Sequence, residues 1–352
     1  MSSRSEVGGG LCGNHVEEWP PRDDWQENRA GDFRVFYEKI CAVKQIGQGG
    51  FGKVYRGHRC VKIPGQGDSR GNCCVNAPYA IKVLDLTNSS GHSSSSTTNS
   101  KRTKSRIKLE IDVHVKLCHN KNIVTPFKVF KWPQEKSSVA ILCMEYCSLG
   151  DAESFFKQRV FSESLAKRLA QHVVRGLCDL KSKGFFHRDV KASNVFVAGS
   201  EQEPQFKLGD FGLVACIDEC NYEVCGTPSA MAPEMDGKHA YTEKIDIWSL
   251  GILLYTKLLR RHPFRYEQKA KTVDRIRAQH QPWSFPQDIH LSFDLKDVMK
   301  RMLTVDPAAR ISLEETDRFL EDVSQIRDSG FVTSSTLSSG MMTTASSTNH
   351  LR

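Results

Sequence analysis

The sequence predicts an α+β chain in which a small, sheet-rich lobe precedes a larger helical one. Three observations predict it. Short runs rich in β-branched and aromatic residues at 43–46, 53–56, 79–84, 126–130 and 139–145 read as strands. One stretch among them, 105–117, places Ile107, Ile111, His114 and Val115, continuing to Cys118, at intervals of three and four, as the buried face of a helix does. From Gly150 onward the pattern turns helical, with a strand-like run at 206–208. The stretch 164–181 carries Leu165, Leu169, Val173, Leu177 and Leu180 on one stripe, and 295–303 is amphipathic through Val298 and Met302. The stretch 245–259 is apolar nearly all round, which predicts a helix buried on every side.

Composition narrows the class. In 352 residues no apolar run approaches the roughly 20 needed to span a bilayer. The N-terminus lacks the apolar core of a secretory signal, and Ser2 stands where myristoylation requires glycine. A soluble, intracellular protein is expected, cytoplasmic, nuclear or both, with no membrane partner. The 12 cysteines are scattered and form no C-x2-C pairs, so free thiols are expected rather than disulfides or a zinc site. The net charge of +8 includes the run Lys101-Arg102-Thr103-Lys104-Ser105-Arg106. This run reads as a solvated lead-in to the helix or as a docking or nuclear-localisation patch. No other feature points to nucleic acid.

The organisation follows from polarity. Residues 1–35 and the Ser/Thr-rich 326–352 lack periodicity and are expected to be disordered. Two segments look inserted into the first lobe: the Gly- and Cys-rich 59–78, and 87–104 with its serine run. A segment that polar buries too little apolar surface to offset its ordering entropy, so a surface loop is expected.

Six motifs carry the chemistry. Gly47-Gln48-Gly49-Gly50-Phe51-Gly52-Lys53-Val54 lies between two strand-like runs, where its glycines let the backbone approach phosphate oxygens. It is no P-loop, because Val54 replaces the Ser or Thr that would hold Mg²⁺ and a strand follows instead of a helix. Ala80-Ile81-Lys82-Val83 puts a lysine inside an apolar strand, which is unfavourable unless the charge is paired, and Glu110 on the following helix is the candidate partner. His187-Arg188-Asp189-Val190-Lys191-Ala192-Ser193-Asn194 supplies a carboxylate, a cation and an amide, and Asp210-Phe211-Gly212 supplies a second carboxylate. These are the parts phosphoryl transfer uses, with hard oxygen ligands suited to Mg²⁺. Ala232-Pro233-Glu234 and Asp246-Ile247-Trp248-Ser249-Leu250-Gly251 complete the order.

In this order the motifs, with Arg310 beyond them, resemble the eukaryotic protein kinase family over residues 36–319. The resemblance implies a bilobal protein kinase fold across 36–325. Its N-lobe, 36–147, is a small antiparallel sheet with one main helix, and its C-lobe, 148–325, is larger and helical. It implies ATP and Mg²⁺ as cofactors and proteins as substrates. ATP would be held by Ile46, Gly47, Gln48, Gly49, Gly50, Phe51, Gly52, Lys53, Val54, Ala80 and Lys82, with hinge contacts from Glu145 and Cys147 behind the gatekeeper Met144. Asp189 would orient the substrate hydroxyl and accept its proton, Lys191 would steady the γ-phosphate, and Asn194 and Asp210 would bind Mg²⁺. Glu110 would fix Lys82, Asp246 would brace the loop around Asp189, and Glu234 would pair with Arg310.

Lys191, two residues after Asp189, and Gly226-Thr227-Pro228 resemble the serine/threonine type, in which Thr227 contacts Asp189 and Lys191. Three positions bear on substrate choice: Ala230 where an aromatic residue is common, Ser193 where many arginine-directed kinases carry an acid, and Asp151, which would bind substrate or ribose. Glu110-Ile111-Asp112-Val113-His114, Leu117, His119, Ile123-Val124, Gly49-Gly50-Phe51 and Tyr255 resemble the polo-like group, although that group's polo-box region is not expected in the short stretch that follows residue 325. The segment 211–226 has no serine or threonine for phosphorylation, so Asp218, Glu219 or Glu223 is expected to face Arg188 instead. The alternatives are a pseudokinase scaffold, opposed by the presence of Lys82, Asp189, Asn194 and Asp210, and a P-loop hydrolase, opposed by Val54 and by the absence of alternating βα units.

Overall fold

A computed structural model describes residues 39–49, 52–61, 73–85, 97–133, 138–157, 159–264, 283–287 and 289–329. The segments 1–35, 87–96 and 330–352, and the glycine-loop residues Gly50 and Phe51, lie outside the described residues.

The first lobe is a five-stranded antiparallel sheet in the order β1-β2-β3-β5-β4. Its strands are β1 (Lys39–Gly49), β2 (Gly52–Val61), β3 (Cys73–Asp85), β4 (Pro126–Pro133) and β5 (Ser138–Glu145). All five expected runs lie inside these strands. The pairing register sets Val54 opposite Lys82, Lys82 opposite Leu142, and Ala80 opposite Met144. Ile81 and Leu84 are buried in this lobe with Ile141 and Cys143.

Two segments that read as inserted are partly regular. The β2–β3 hairpin runs into 59–78, with Cys60 opposite Cys74 and Val61 opposite Cys73. Backbone ladder bonds extend it without a side-chain pattern to announce them. Helix α1 spans Thr97–Lys116 and so begins within 87–104, which had read as a loop. Its first eight residues contain no apolar side chain, hence no periodicity, yet Lys101, Arg102 and Lys104 are good helix formers that prolong the helix outward. Farther along, Ile107, Glu110, Ile111, Val113, His114 and Leu117 are buried.

The second lobe is built on α2 (Ala152–Lys157), α3 (Glu163–Ser182), α4 (Lys244–Leu259), α5 (Phe293–Met302) and α6 (Leu313–Ser329). Ser162 and Ser292 cap α3 and α5, their hydroxyls accepting the backbone N–H groups of Leu165 and Leu295, both at 3.3 Å. As the sequence predicted, α4 is buried without interruption from Ile245 to Tyr255. The core between the helices holds Phe155, Phe156, Leu169, Val173, Leu177 and Phe206. Helix α6 was not expected, and it carries helical backbone to Ser329, past the 326 boundary drawn for the tail.

Two small two-stranded sheets hold the loops that matter. β6 (Phe185–Phe186) pairs with β9 (Ala215–Cys216), and β7 (Val195–Gly199) pairs with β8 (Pro204–Leu208). The segment His187–Asn194 spans β6 to β7, and Asp210-Phe211-Gly212 spans β8 to β9. Each loop is thus pinned at both ends. The chain leaving α1 joins this frame, with the Val124 N–H donating to Leu208 O at 3.0 Å and the Leu208 N–H to Asn122 O at 2.7 Å.

Candidate active site

A cleft of about 640 Å³ opens between the sheet and the helical lobe. At one end it is apolar, with Val54, Ala80, Leu142 and Met144, and the backbone segment Glu145-Tyr146-Cys147 runs along its edge. At the other end Lys82, Glu110, Asp189, Lys191, Asn194 and Asp210 converge from separate segments. Ile46, Gly47, Gln48 and Gly49 also line it, while Gly52 and Lys53 do not. Lys53 is exposed. Gly52 has a packing reason of its own: a Cβ there would lie 2.0 Å from Val83 O, so glycine lets β2 close onto β3.

Lys82, buried on β3, donates to Glu110 Oε1 at 2.5 Å and to Asp210 Oδ1 at 2.9 Å. Burial disfavours its ammonium, but Glu110 and Asp210 outweigh burial and hold its pKa above the ordinary lysine value. Burial likewise works against the charged form of Asp210, and Lys82 outweighs it, so its carboxyl sits below the usual range. Phe211 is fully buried between two rings, with centroids 4.8 Å from His114 on α1 and 5.4 Å from His187. This ring column ties helix α1 to the loop of Asp189, a contact foreshadowed only by the buried face of α1.

The loop is fixed from beneath. Buried Asp246 accepts the backbone N–H groups of His187 at 2.7 Å and Arg188 at 2.8 Å. Arg188 takes φ 68° and Asp210 φ 60°, left-handed conformations that a non-glycine residue adopts only when its surroundings hold it there. The carboxylate of Asp189 is met from three sides. Thr227 donates its hydroxyl at 2.8 Å, Lys191 Nζ lies 2.7 Å away, and Asn194 Nδ2 donates at 3.0 Å. Lys191 also donates to Thr227 Oγ1 at 3.1 Å. Gly226, at φ 93°, permits this approach, since a Cβ there would lie 2.5 Å from Arg188 O.

Asn194 donates its amide both to the Asp189 side chain and, at 2.9 Å, to the Asp189 carbonyl. Its side-chain oxygen and the Asp210 carboxylate line the same cleft, and hard oxygen donors of this kind fit Mg²⁺. The Glu145 side chain turns away from the cleft to accept Lys207 at 2.8 Å and the Thr125 N–H at 2.6 Å, leaving its backbone at the edge. Asp151 lines the cleft and also caps α2, accepting the Ser154 N–H at 2.7 Å. Farther off, Arg310 is buried and forms a two-point pair with Glu234 at 2.6 and 3.0 Å.

The protein kinase domain model matches residues 40–319. The chain belongs to the protein kinase family. The kinase domain is 29% identical over 279 residues to the serine/threonine-protein kinase PLK4 of Drosophila persimilis, covering 78% of this chain and 32% of that protein. It is 32% identical over 282 residues to the probable serine/threonine-protein kinase CCRP1 of Zea mays, covering 79% and 40%. Against the cell cycle serine/threonine-protein kinase CDC5/MSD2 of Saccharomyces cerevisiae it is 33% identical over 222 residues, covering 61% and 30%. The first and third of these are polo-like kinases, the group the sequence resembled. The chain spans well under half the length of each of these curated relatives. Among the described residues no helix is long and apolar enough to cross a membrane.

Proposed function

We propose that the chain is a protein serine/threonine kinase that transfers the γ-phosphate of Mg-ATP to protein hydroxyls, with Asp189 positioning the nucleophile. One observation carries this reading: Lys82, Glu110, Asp189, Lys191, Asn194 and Asp210 come from four segments and line one cleft. Phosphoryl transfer asks the protein chiefly for positioning and charge stabilisation, and these side chains are already held.

The apolar end, with Val54 and Ala80, suits a purine, and the backbone of Glu145 to Cys147 along the cleft's edge suits its polar edge. Asn194 and Asp210 would hold Mg²⁺, which when bound neutralises charge on the phosphates. Lys82, kept charged by Glu110, orients the phosphates from the sheet side. Asp189 accepts a hydrogen bond from the acceptor hydroxyl and takes its proton as that oxygen bonds to the γ-phosphorus and the bond to the β–γ bridging oxygen breaks, with ADP leaving. Lys191, beside Asp189 and Thr227, places a positive charge where the transferred group passes. Its spacing from Asp189, together with the Thr227 contact, supports serine and threonine as acceptors.

The test is Asp189→Asn, assayed by nucleotide binding and by transfer of labelled phosphate to dephosphorylated casein, with phosphoamino-acid analysis of the product. The expected result is ATP affinity within a few-fold of the parent and turnover reduced by about a hundredfold or more. Near-normal turnover overturns the role of Asp189, and a parent chain that binds ATP without transferring phosphate identifies a scaffold instead.

A further inference from the structure

We infer that Glu223 is a positioning residue that ties the catalytic loop to helix α1 across the cleft, setting the Lys82–Glu110 pair without a phosphate on the 211–226 segment. The inference rests on the kinase reading above and adds to it the means by which this chain holds its helix.

The two carboxylate oxygens of Glu223 go to different lobes. Oε2 accepts Arg188 Nη1 at 3.3 Å, and Oε1 accepts Arg106 Nη2. Arg106 stands one helical turn before Glu110 on α1, the four-residue spacing that stacks two side chains on one face. Pinning Arg106 therefore pins the turn that presents Glu110 to Lys82. On the other side Arg188 adjoins Asp189, and its Nε donates to Leu213 O at 2.6 Å just beyond Asp210-Phe211-Gly212. A single carboxylate thus joins helix α1 to the loop of Asp189 and, through Arg188, to the segment that follows Asp210.

An exposed ion pair by itself contributes little. Glu223 differs in being held in advance. The Tyr241 hydroxyl donates to the Glu223 carbonyl at 2.5 Å, and Tyr241, itself buried, also meets Arg188 at 3.3 Å. Asn221, paired with Tyr241 in an isolated bridge, donates to Cys216 O at 3.0 Å and Glu219 O at 2.6 Å, fixing the chain that leads to Glu223. Burial opposes the ionised form of Glu223, but Arg106 and Arg188 outweigh it and keep the carboxyl below the usual range. Of the three acids expected to face Arg188, Glu223 does so, and among the described residues neither Asp218 nor Glu219 pairs with it. Arg102 approaches Glu223 only to 3.6 Å, with its side chain 71% exposed.

The experiment uses the full chain, stripped by a phosphatase that is then removed, with dephosphorylated casein as substrate. Hydrogen exchange along α1 and the melting temperature are read on the same samples. The stripped parent is expected to keep most of its activity. Glu223→Gln and Arg106→Gln should each lower kcat about tenfold, the double variant being no worse than either single, as for two ends of one coupling. Exchange in α1 should quicken in both variants while the melting temperature stays near the parent's. Arg102→Gln, the control, should stay within about twofold. The proposal is overturned if α1 exchange is unchanged in both single variants, if the two losses multiply, or if the stripped parent loses its activity and regains it on rephosphorylation. A parent that transfers no phosphate at all defeats the kinase reading, and α1 exchange then still decides the Glu223 link.

Discussion

The hydroxyl of Thr227 donates to Asp189 Oδ1 at 2.8 Å, reaching the catalytic loop from a segment 38 residues away. It leaves Asp189 Oδ2 to Lys191 and Asn194, so the carboxylate is fixed in plane and rotation. Thr227→Ala should lower kcat by about tenfold to a hundredfold, because a slightly misplaced group loses much of its effect, with little change in KM for ATP. Thr227→Ser, which keeps the hydroxyl, should recover most of the loss. Steady-state kinetics on the three forms checks this, and an Ala variant with normal kcat removes Thr227 from the site.

How much of this was legible depends on what each residue must do alone. Lys82, Glu110, Asp189, Asn194 and Asp210 could be read because few residue types perform their chemistry and the spacing leaves little choice. The strands could be read because Val, Ile, Phe and Tyr cluster where a pleated, half-buried surface forms. The start of α1 could not, since Thr97 to Lys104 carries no apolar residue, and the apolar face of the helix was the only signal available. Of the hairpin of β7 and β8, the strand-like run 206–208 could be read and lies inside β8, whereas β7 was not read. Glu223 was one of three equivalent acids in the sequence. Only the anchoring of its backbone by Tyr241 chooses it, and that contact is tertiary. Gly52 was read as freedom to approach phosphate, whereas Val83 O gives it a packing role as well.

The two glycines flanking the loop tip should therefore answer differently to the same change. Gly52→Ala forces β2 away from β3, because its Cβ would meet backbone at 2.0 Å. A drop in melting temperature of several degrees is expected, in line with overpacking of about 1–3 kcal/mol. A Cβ on Gly49 meets nothing within 4 Å. Gly49→Ala should melt as the parent does and raise KM for ATP, if phosphate approaches the backbone there. Equal melting of the two variants refutes the distinction.

Arg310 places all its donors inside the protein: on Glu234, on Thr304 O at 2.9 Å, on Lys244 O at 2.9 Å and on Val305 O at 3.2 Å. Its guanidinium also lies 5.0 Å from the Trp248 ring centre. Glu234→Ala leaves this buried cation without a counter-charge, for which a loss of about 3–5 kcal/mol is expected. Urea unfolding measures it. A loss below about 1 kcal/mol would mean that the surrounding carbonyls alone suffice.

The last prediction concerns acid. Burial depresses the pKa of His114 to about 4, and burial with Arg168, Arg175 and Lys121 nearby does the same to His172. The hydrogen bonds agree with neutral rings. His114 Nε2 contacts Val124 O at 2.6 Å and so carries its proton there, while His172 Nδ1 accepts the Phe206 N–H at 3.1 Å, which requires that nitrogen to be bare. In the unfolded chain both titrate near 6.5. Between about 6.5 and about 4 the unfolded state therefore binds protons that the folded state refuses. Their stabilisation is complete above that window and declines as pH falls through it, reaching about 3 kcal/mol for the fully buried His114 and less for the partly exposed His172. Glu163 acts in a lower window. Burial opposes its charge, but the Ser292 hydroxyl and N–H and Lys167 hold its carboxyl at about 2, so its contribution is lost only as pH falls below the ordinary glutamate range. Urea midpoints at neutral pH and at several points down to about pH 4.5 should trace the histidine decline. His114→Gln keeps a donor for Val124 and His172→Gln keeps an acceptor for Phe206, so the double variant should flatten the slope above pH 4.5 while leaving the acid limb of Glu163 in place. An unchanged slope in the double variant would assign the decline to other groups.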